Sequence, residues 1–342
     1  MWSIPQLVTV KATRYTRFMA TTSKKSTTRK KTNSKSKTTV KKVATSAKST
    51  KVTAKKVNSK KAAIKPAKTT VKTNIKPTEK SSAGKLHNLF KWNVAMAVFH
   101  AVQAALVLWL AKPDLGLQSV TTNYLTKDGM ASTVDRPVLV SATRHLFDVN
   151  LAWLVAAFFL LSALAHASIA TWYRKRYEAD LQNGINKARW VEYSLSASTM
   201  MVAIALLAGV FDLGSLVMMF ALTAVMNLCG LVMELVNKGH NKVDWSSYIV
   251  GCIAGIAPWV VYLFYIVGSA KYGEGGGPPT FVYYILASIF LFFNSFAVNM
   301  YLQYRKKGKW ADYLYGEKMY MVLSLVAKAV LAWQVFAGAL RP

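Results

Sequence analysis

Met319-Tyr-Met-Val-Leu-Ser-Leu-Val-Ala-Lys328-Ala-Val-Leu-Ala-Trp-Gln-Val-Phe-Ala-Gly338 is an apolar run whose one charge sits near its middle. A helix of about 20 such residues spans a hydrocarbon layer of roughly 30 Å. The run therefore reads as a membrane span, and Lys328 lies too deep in it to reach either interface easily.

Working back from this stretch, apolar runs of similar length recur. We read seven spans: Leu89–Ala111, Leu146–Tyr173, Trp190–Phe211, Ser215–Val236, Trp245–Ser269, Phe281–Tyr304 and Tyr315–Leu340. The expected fold is an all-α membrane protein, a seven-helix bundle. An odd number of spans puts the chain ends on opposite sides. Loops on the N-terminal side carry Arg174, Lys175, Arg176, Lys187, Arg189, Lys238, Lys242, Arg305, Lys306, Lys307 and Lys309. The other side carries only Lys112, Lys127, Arg136, Arg144, Lys271 and Arg341. Cytoplasmic loops gather Lys and Arg, so the N-terminus is expected in the cytoplasm and the C-terminus outside or in a lumen. The first outer connection, Lys112–His145, has strand-forming residues at Thr121, Thr122, Tyr124 and Val138–Val140, which predict a short hairpin.

The whole chain of 342 residues has a formal charge of +30, an odd partner for 53% hydrophobic content. The excess is local. Residues 1–88 hold 24 Lys or Arg against one acid, Glu79. We expect two parts: a disordered basic arm at 1–88 and a membrane domain at 89–342. The arm has too little apolar surface to fold alone. Its charge suits anionic lipid, with organelle targeting or another polyanion such as nucleic acid as alternatives. Cys229 and Cys252 lie in apolar runs and suggest neither a disulfide framework nor a metal site.

Ionisable groups inside a bilayer are functional candidates. A desolvated lysine such as Lys328 is a good amine for a Schiff base with an aldehyde. The alternative is a lysine lining a transport cavity. A cationic Schiff base needs an anion, and Glu192 is the candidate, since Lys328 leans toward the N-terminal end of its helix. Glu192 also reads as an interfacial glutamate beside Arg189. His100 and His166 lie within the first two spans, with Gln103 and Ser162 one turn away from each. They are candidates for a proton relay, or are hydrogen-bonded core residues. Glu234 reads as interfacial, and Asn227 as a hydrogen bond between helices.

With these residues in view, Leu89–Leu340 resembles the heliorhodopsins, an inverted branch of the microbial rhodopsins. The likeness rests on Asn93 with His100 and Gln103, on Ser162-Ala-Leu-Ala-His166 and on Glu192-Tyr-Ser-Leu-Ser-Ala-Ser198. It extends to Asn227, Pro258-Trp259 and Ser324-x-x-x-Lys328 after Tyr315-Gly316-Glu317. The resemblance implies all-trans retinal on Lys328, Glu192 as counterion, and His100 and His166 in a cavity that receives the Schiff-base proton. It implies Ser324 near the Schiff base and Trp259, Phe290 and Phe293 around the chromophore. Pro258, Asn227 and Ser198 join the expected chromophore site, and a homodimer is implied. The basic arm is outside the family pattern.

Three uses of light follow: sensing, passive proton or cation conduction, and pumping. Pumping ranks last, because pumps align several membrane carboxylates and this chain has Ser324 where one is expected opposite the counterion. A retinal-free transporter is the remote alternative. No nucleophile–base pair, metal cluster or phosphate loop suggests an enzyme.

Overall fold

The computed structural model describes residues 77–341, with side chains from Gly84 onward. Residues 1–76 of the expected arm lie outside the described residues. Among the described residues, seven helices are long and apolar enough to cross a membrane. They are α1 (Pro77–Leu110), α2 (Leu151–Ala170), α4 (Lys187–Leu207), α5 (Leu213–Val236), α6 (Ser246–Tyr272), α7 (Thr280–Tyr304) and α8 (Tyr313–Val335). In hydrocarbon each backbone polar group needs an internal partner, and helices supply one. Around the bundle α1 packs on α2, α2 on α4, α4 on α5, and α5 on α6, while α7 packs on α8 and α8 on α1.

Polar residues at the span ends set the helix starts. Asn150, Asn186, Asp212 and Asp312 each accept a backbone N–H of the helix they precede, which starts α2, α4, α5 and α8. These caps move several expected bounds. The first helix starts at Pro77, ahead of Leu89. Leu146–Asn150 belong to a strand, so α2 begins at Leu151. The third span starts at Lys187 and stops at Leu207, where Gly209 adopts φ +93°, open to glycine at no steric cost. The break between the second and third spans holds a short helix, α3 (Arg174–Gln182).

The hairpin is longer than expected. Strands β1 (Leu117–Lys127) and β2 (Leu139–Asn150) pair antiparallel, with a register shift between Val120 and Thr121. That shift turns Val120 into the core. The N–H of Thr121 donates to the Phe211 carbonyl at 2.9 Å, and that of Asn123 to Asp212 Oδ1 at 3.3 Å. The hairpin is thus clipped to the α4–α5 connection.

Packing differs along the bundle. On the hairpin side of Lys328, Val107, Leu151, Val155, Phe158, Met201, Ile204, Ile285, Leu331 and Val335 form a dense apolar layer. On the arm side lie the buried charges Arg189, Glu192, Glu234 and Glu317. Trp190 sits over Gly230, where a Cβ would run into its ring, so α4 and α5 approach closely there.

Candidate chromophore site

Lys328 is 3% exposed on α8, and its Nζ donates to Ser324 Oγ at 2.7 Å and to Glu192 Oε1 at 3.1 Å. The i, i+4 spacing puts Ser324 on the same helix face as the lysine. Glu192 is buried on α4. Its Oε1 also accepts from Ser162 at 2.5 Å and Ser196 at 2.7 Å. The ammonium and two hydroxyls therefore converge on one carboxylate, as buried charges require. Of the two readings of Glu192, the interfacial one is corrected: the carboxylate is a buried partner of Lys328. Arg189 turns away from it toward Glu234 and Glu317.

His100 and His166 stack with ring centroids 5.8 Å apart and planes 9° from parallel. His166 Nδ1 lies 2.8 Å from Asn93 Oδ1, while neither ring nitrogen of His100 has a partner among the described residues. The histidines come together, but neither is hydrogen-bonded to Lys328 or Glu192. Ser162, grouped with them in the sequence, belongs to Glu192 instead. Gln103 is half-buried and joins neither histidine.

A cleft with about 400 Å³ of atom-free space opens at Lys328, walled by Tyr193, Met200, Met226, Asn227, Phe293 and Phe296. The last four also border a wider apolar cleft between α6 and α7 that reaches Trp259. Trp259 meets Tyr262, Phe290 and Phe293 edge to face. Pro258 is buried within α6 beside it. One expectation needs correcting, the hydrogen bond of Asn227 between helices, and two further residues border neither cleft. Phe290 touches Trp259 from an exposed outer position and borders neither cleft. Asn227 borders both clefts, but its amide donates to Thr223 of its own helix rather than across to another. Ser198 donates to the Ser194 carbonyl and lies outside the cleft.

Sequence reading missed Ser196 and Tyr193. Ser196 was legible as the i+4 neighbour of Glu192. Tyr193 was not: nothing in its own stretch indicates that it borders the Lys328 cleft and donates to the Tyr320 carbonyl at 2.8 Å. It also missed the pairing of Arg189 with Glu234 and Glu317. Glu234 is 3% exposed and bonded to Arg189, which corrects its interfacial assignment. Arg189, counted as a loop cation, is buried in the same cluster, leaving ten on that side.

The heliorhodopsin family model matches residues 89–340, across all seven membrane helices. The chain belongs to the heliorhodopsin family. As a heliorhodopsin it is a retinal-binding, light-responsive, multi-pass membrane protein. Among solved structures, the transmembrane domain of Salpingoeca rosetta rhodopsin phosphodiesterase is similar at 15% identity and a TM-score of 0.52. That likeness covers 77% of this chain and 88% of that one, and it shows a shared fold. The light-driven proton pump LR (Mac) from Leptosphaeria maculans aligns at 15% identity over 75% and 93% of the two chains, with a TM-score of 0.39. No curated protein sequence matches this heliorhodopsin. Its residues fit retinal: a buried amine borders an aromatic and thioether-walled cleft, beside a carboxylate held by two hydroxyls.

Proposed function

We propose that this heliorhodopsin is a light sensor that carries all-trans retinal on Lys328 as a protonated Schiff base with Glu192 as its counterion. The observation that carries the reading is the 3.1 Å contact between Lys328 Nζ and Glu192 Oε1 beside an apolar cleft. Bound retinal supplies visible absorption and an isomerisation that moves charge and bulk against its surroundings. The chain's residues do the rest. Glu192 holds a positive charge at Nζ, Ser162 and Ser196 keep Glu192 oriented, and Ser324 gives Nζ a second partner. Tyr193, Phe293 and Phe296 exclude water from the cleft. His166, which borders the small cavity that Glu192 also borders, and His100 stacked on it are the groups that receive a proton.

Sensing is favoured over conduction and pumping by the distribution of charge. The buried charged groups lie level with Lys328 or on its arm side, and the opposite half is packed apolar side chains. A proton crossing that half would have to be desolvated without a partner. The ten remaining loop cations support a cytoplasmic N-terminus, and the family resemblance supports a homodimer.

The test is reconstitution. Adding all-trans retinal to the protein should give a visible band, and Lys328→Ala should lose it, since no other buried amine is present among the described residues. A band that persists in the variant would overturn the linkage. Voltage-clamped cells expressing the retinal-loaded protein should show no sustained light-driven current. A current that reverses with the ion gradient would replace sensing with passive conduction.

A further inference from the structure

Three buried charges have no part in the site above. Arg189 of α4 lies between Glu234 of α5 and Glu317 of α8, each 6% exposed or less. Its guanidinium bonds Glu234 at 2.5 Å and also Glu317. It stacks over the rings of Trp190 and Tyr320, 4.3 Å and 3.9 Å from their centroids. Asn186 serves both acids: its backbone N–H donates to Glu234 at 2.8 Å and its side-chain amide to Glu317 at 2.6 Å. The Tyr313 hydroxyl adds a bond to Glu234 at 3.2 Å.

Both carboxyls have hydrogen-bond donors, but the charges do not balance. One cation faces two carboxylates. The neighbouring Lys328–Glu192 pair is already neutral within itself. Around the cluster stand Tyr177 of α3, Tyr304 of α7, and Tyr313 and Tyr320 of α8, phenols that bring no positive charge. The ring of His166 of α2 is bonded to Asn93 and to neither acid. A net negative charge buried in this way is costly unless something neutralises it.

A second observation points to what does. A cavity of about 20 Å³, room for one water, is bordered by Glu317, Arg189, Asn186 and Tyr177. Glu192 and His166 border it as well. The Tyr177 hydroxyl and Arg189 Nε are buried there without a partner among the described residues. Small, polar and incompletely satisfied, the cavity suits a proton and the water that delivers it.

We propose that Glu234 and Glu317 share one bound proton in the dark protein, forming a proton store separate from the chromophore site. Glu317 borders the cavity and is the carboxyl through which the proton exchanges. The store is a property of the chain's own acids and does not depend on the retinal linkage.

Infrared spectra of the dark, full-length protein in ordinary and heavy water test it. A carboxylic-acid carbonyl band that shifts in heavy water is expected. Glu192→Gln should retain it, and either Glu234→Gln or Glu317→Gln should abolish it, because the acid that remains ionises against Arg189. Each single substitution puts a neutral amide in place of a protonated, equally neutral carboxyl, so its melting temperature should stay near wild type. The double substitution strands Arg189 and should melt much lower. If a variant fails to fold, isotope-labelled glutamate in the wild-type chain identifies the band without any substitution. Absence of the band, or its survival in both single variants, overturns the proposal. Melting that rises with sodium while no band is present would also overturn it, in favour of a bound cation.

Discussion

At the residue scale the site depends on one carboxylate with several donors. Glu192 receives the Lys328 amine and the hydroxyls of Ser162 and Ser196, and each donor affects it in a predictable direction. In the retinal-loaded protein, Glu192→Gln should move the absorption band to longer wavelength. The ground state concentrates positive charge at the nitrogen and loses more from removal of the anion than the excited state does. Ser162→Ala or Ser196→Ala should shift it the other way and by less, because a carboxylate with fewer donors holds a stronger field at the nitrogen. Without retinal, Glu192→Gln leaves a buried ammonium unpaired and should destabilise the fold by roughly 3 kcal/mol in denaturant melts. Shifts of the same sign in all three variants would remove Glu192 from the counterion role. Part of this was legible in the sequence: Lys328 stands alone in an apolar run, whereas Glu192, three residues from Arg189, read equally as an interfacial acid. Arg189, Glu234 and Glu317 were less legible, each lying near a span end where hydropathy cannot separate a buried charge from a wetted one. Their pairing spans three helices, and one chain's spacing does not encode it.

At the element scale, seven helices followed from run length, but their ends followed from caps and a glycine. A hydropathy window averages over the four or five residues at which Asn150 stops β2 and starts α2. The hairpin was visible in its β-branched residues, whereas its fastening at Asp212 was not, since the contact joins segments 89 residues apart in the chain. Asp212 caps α5 through Ser215 N–H at 2.8 Å and accepts from Asn123 of β1. The Ser215 N–H, more than any other neighbour, holds its carboxyl below the usual carboxylate range. A carboxyl held low in the folded state is more easily ionised there than in the unfolded chain. Its contribution is therefore complete above the unfolded carboxylate range, near 4, and fades as pH falls through the folded value. Asp212→Ala should cost about 1 kcal/mol at neutral pH, in line with loss of a helix cap, and its deficit should shrink in acid. Hydrogen exchange should rise in β1 as well as at the start of α5. An effect confined to α5 would mean that the clip does not hold the hairpin.

At the scale of the whole molecule, charge is sorted along the chain and across the bundle: 24 Lys or Arg in residues 1–88, ten loop cations on the side where α1 begins, six on the other. This sorting underlies the last prediction, which concerns the arm. Because α1 begins at Pro77, a deletion that spares the helix must end at Lys76. Such a deletion should leave retinal binding and band position unchanged, since Lys328, Glu192 and the cleft residues all lie beyond it. Association with anionic surfaces should weaken. A lysine near an anionic leaflet contributes about 1 kcal/mol, and only part of a long arm can engage a surface at once. Even partial engagement should give a contact that fades with salt, as the screening length drops to roughly 3 Å at 1 M. The arm is also rich in Ser and Thr, and each phosphate added would cancel about 1.5–2 charges, so modification should release it. The measurement is co-sedimentation of the full chain, the truncated chain and an arm peptide with neutral vesicles, anionic vesicles and duplex DNA over a salt series. Anionic vesicles should retain the arm peptide and the full chain more than neutral ones do, and truncation should remove that preference. Much tighter retention on DNA at equal salt would make nucleic acid the arm's partner, and binding to none of them would leave organelle targeting as its role.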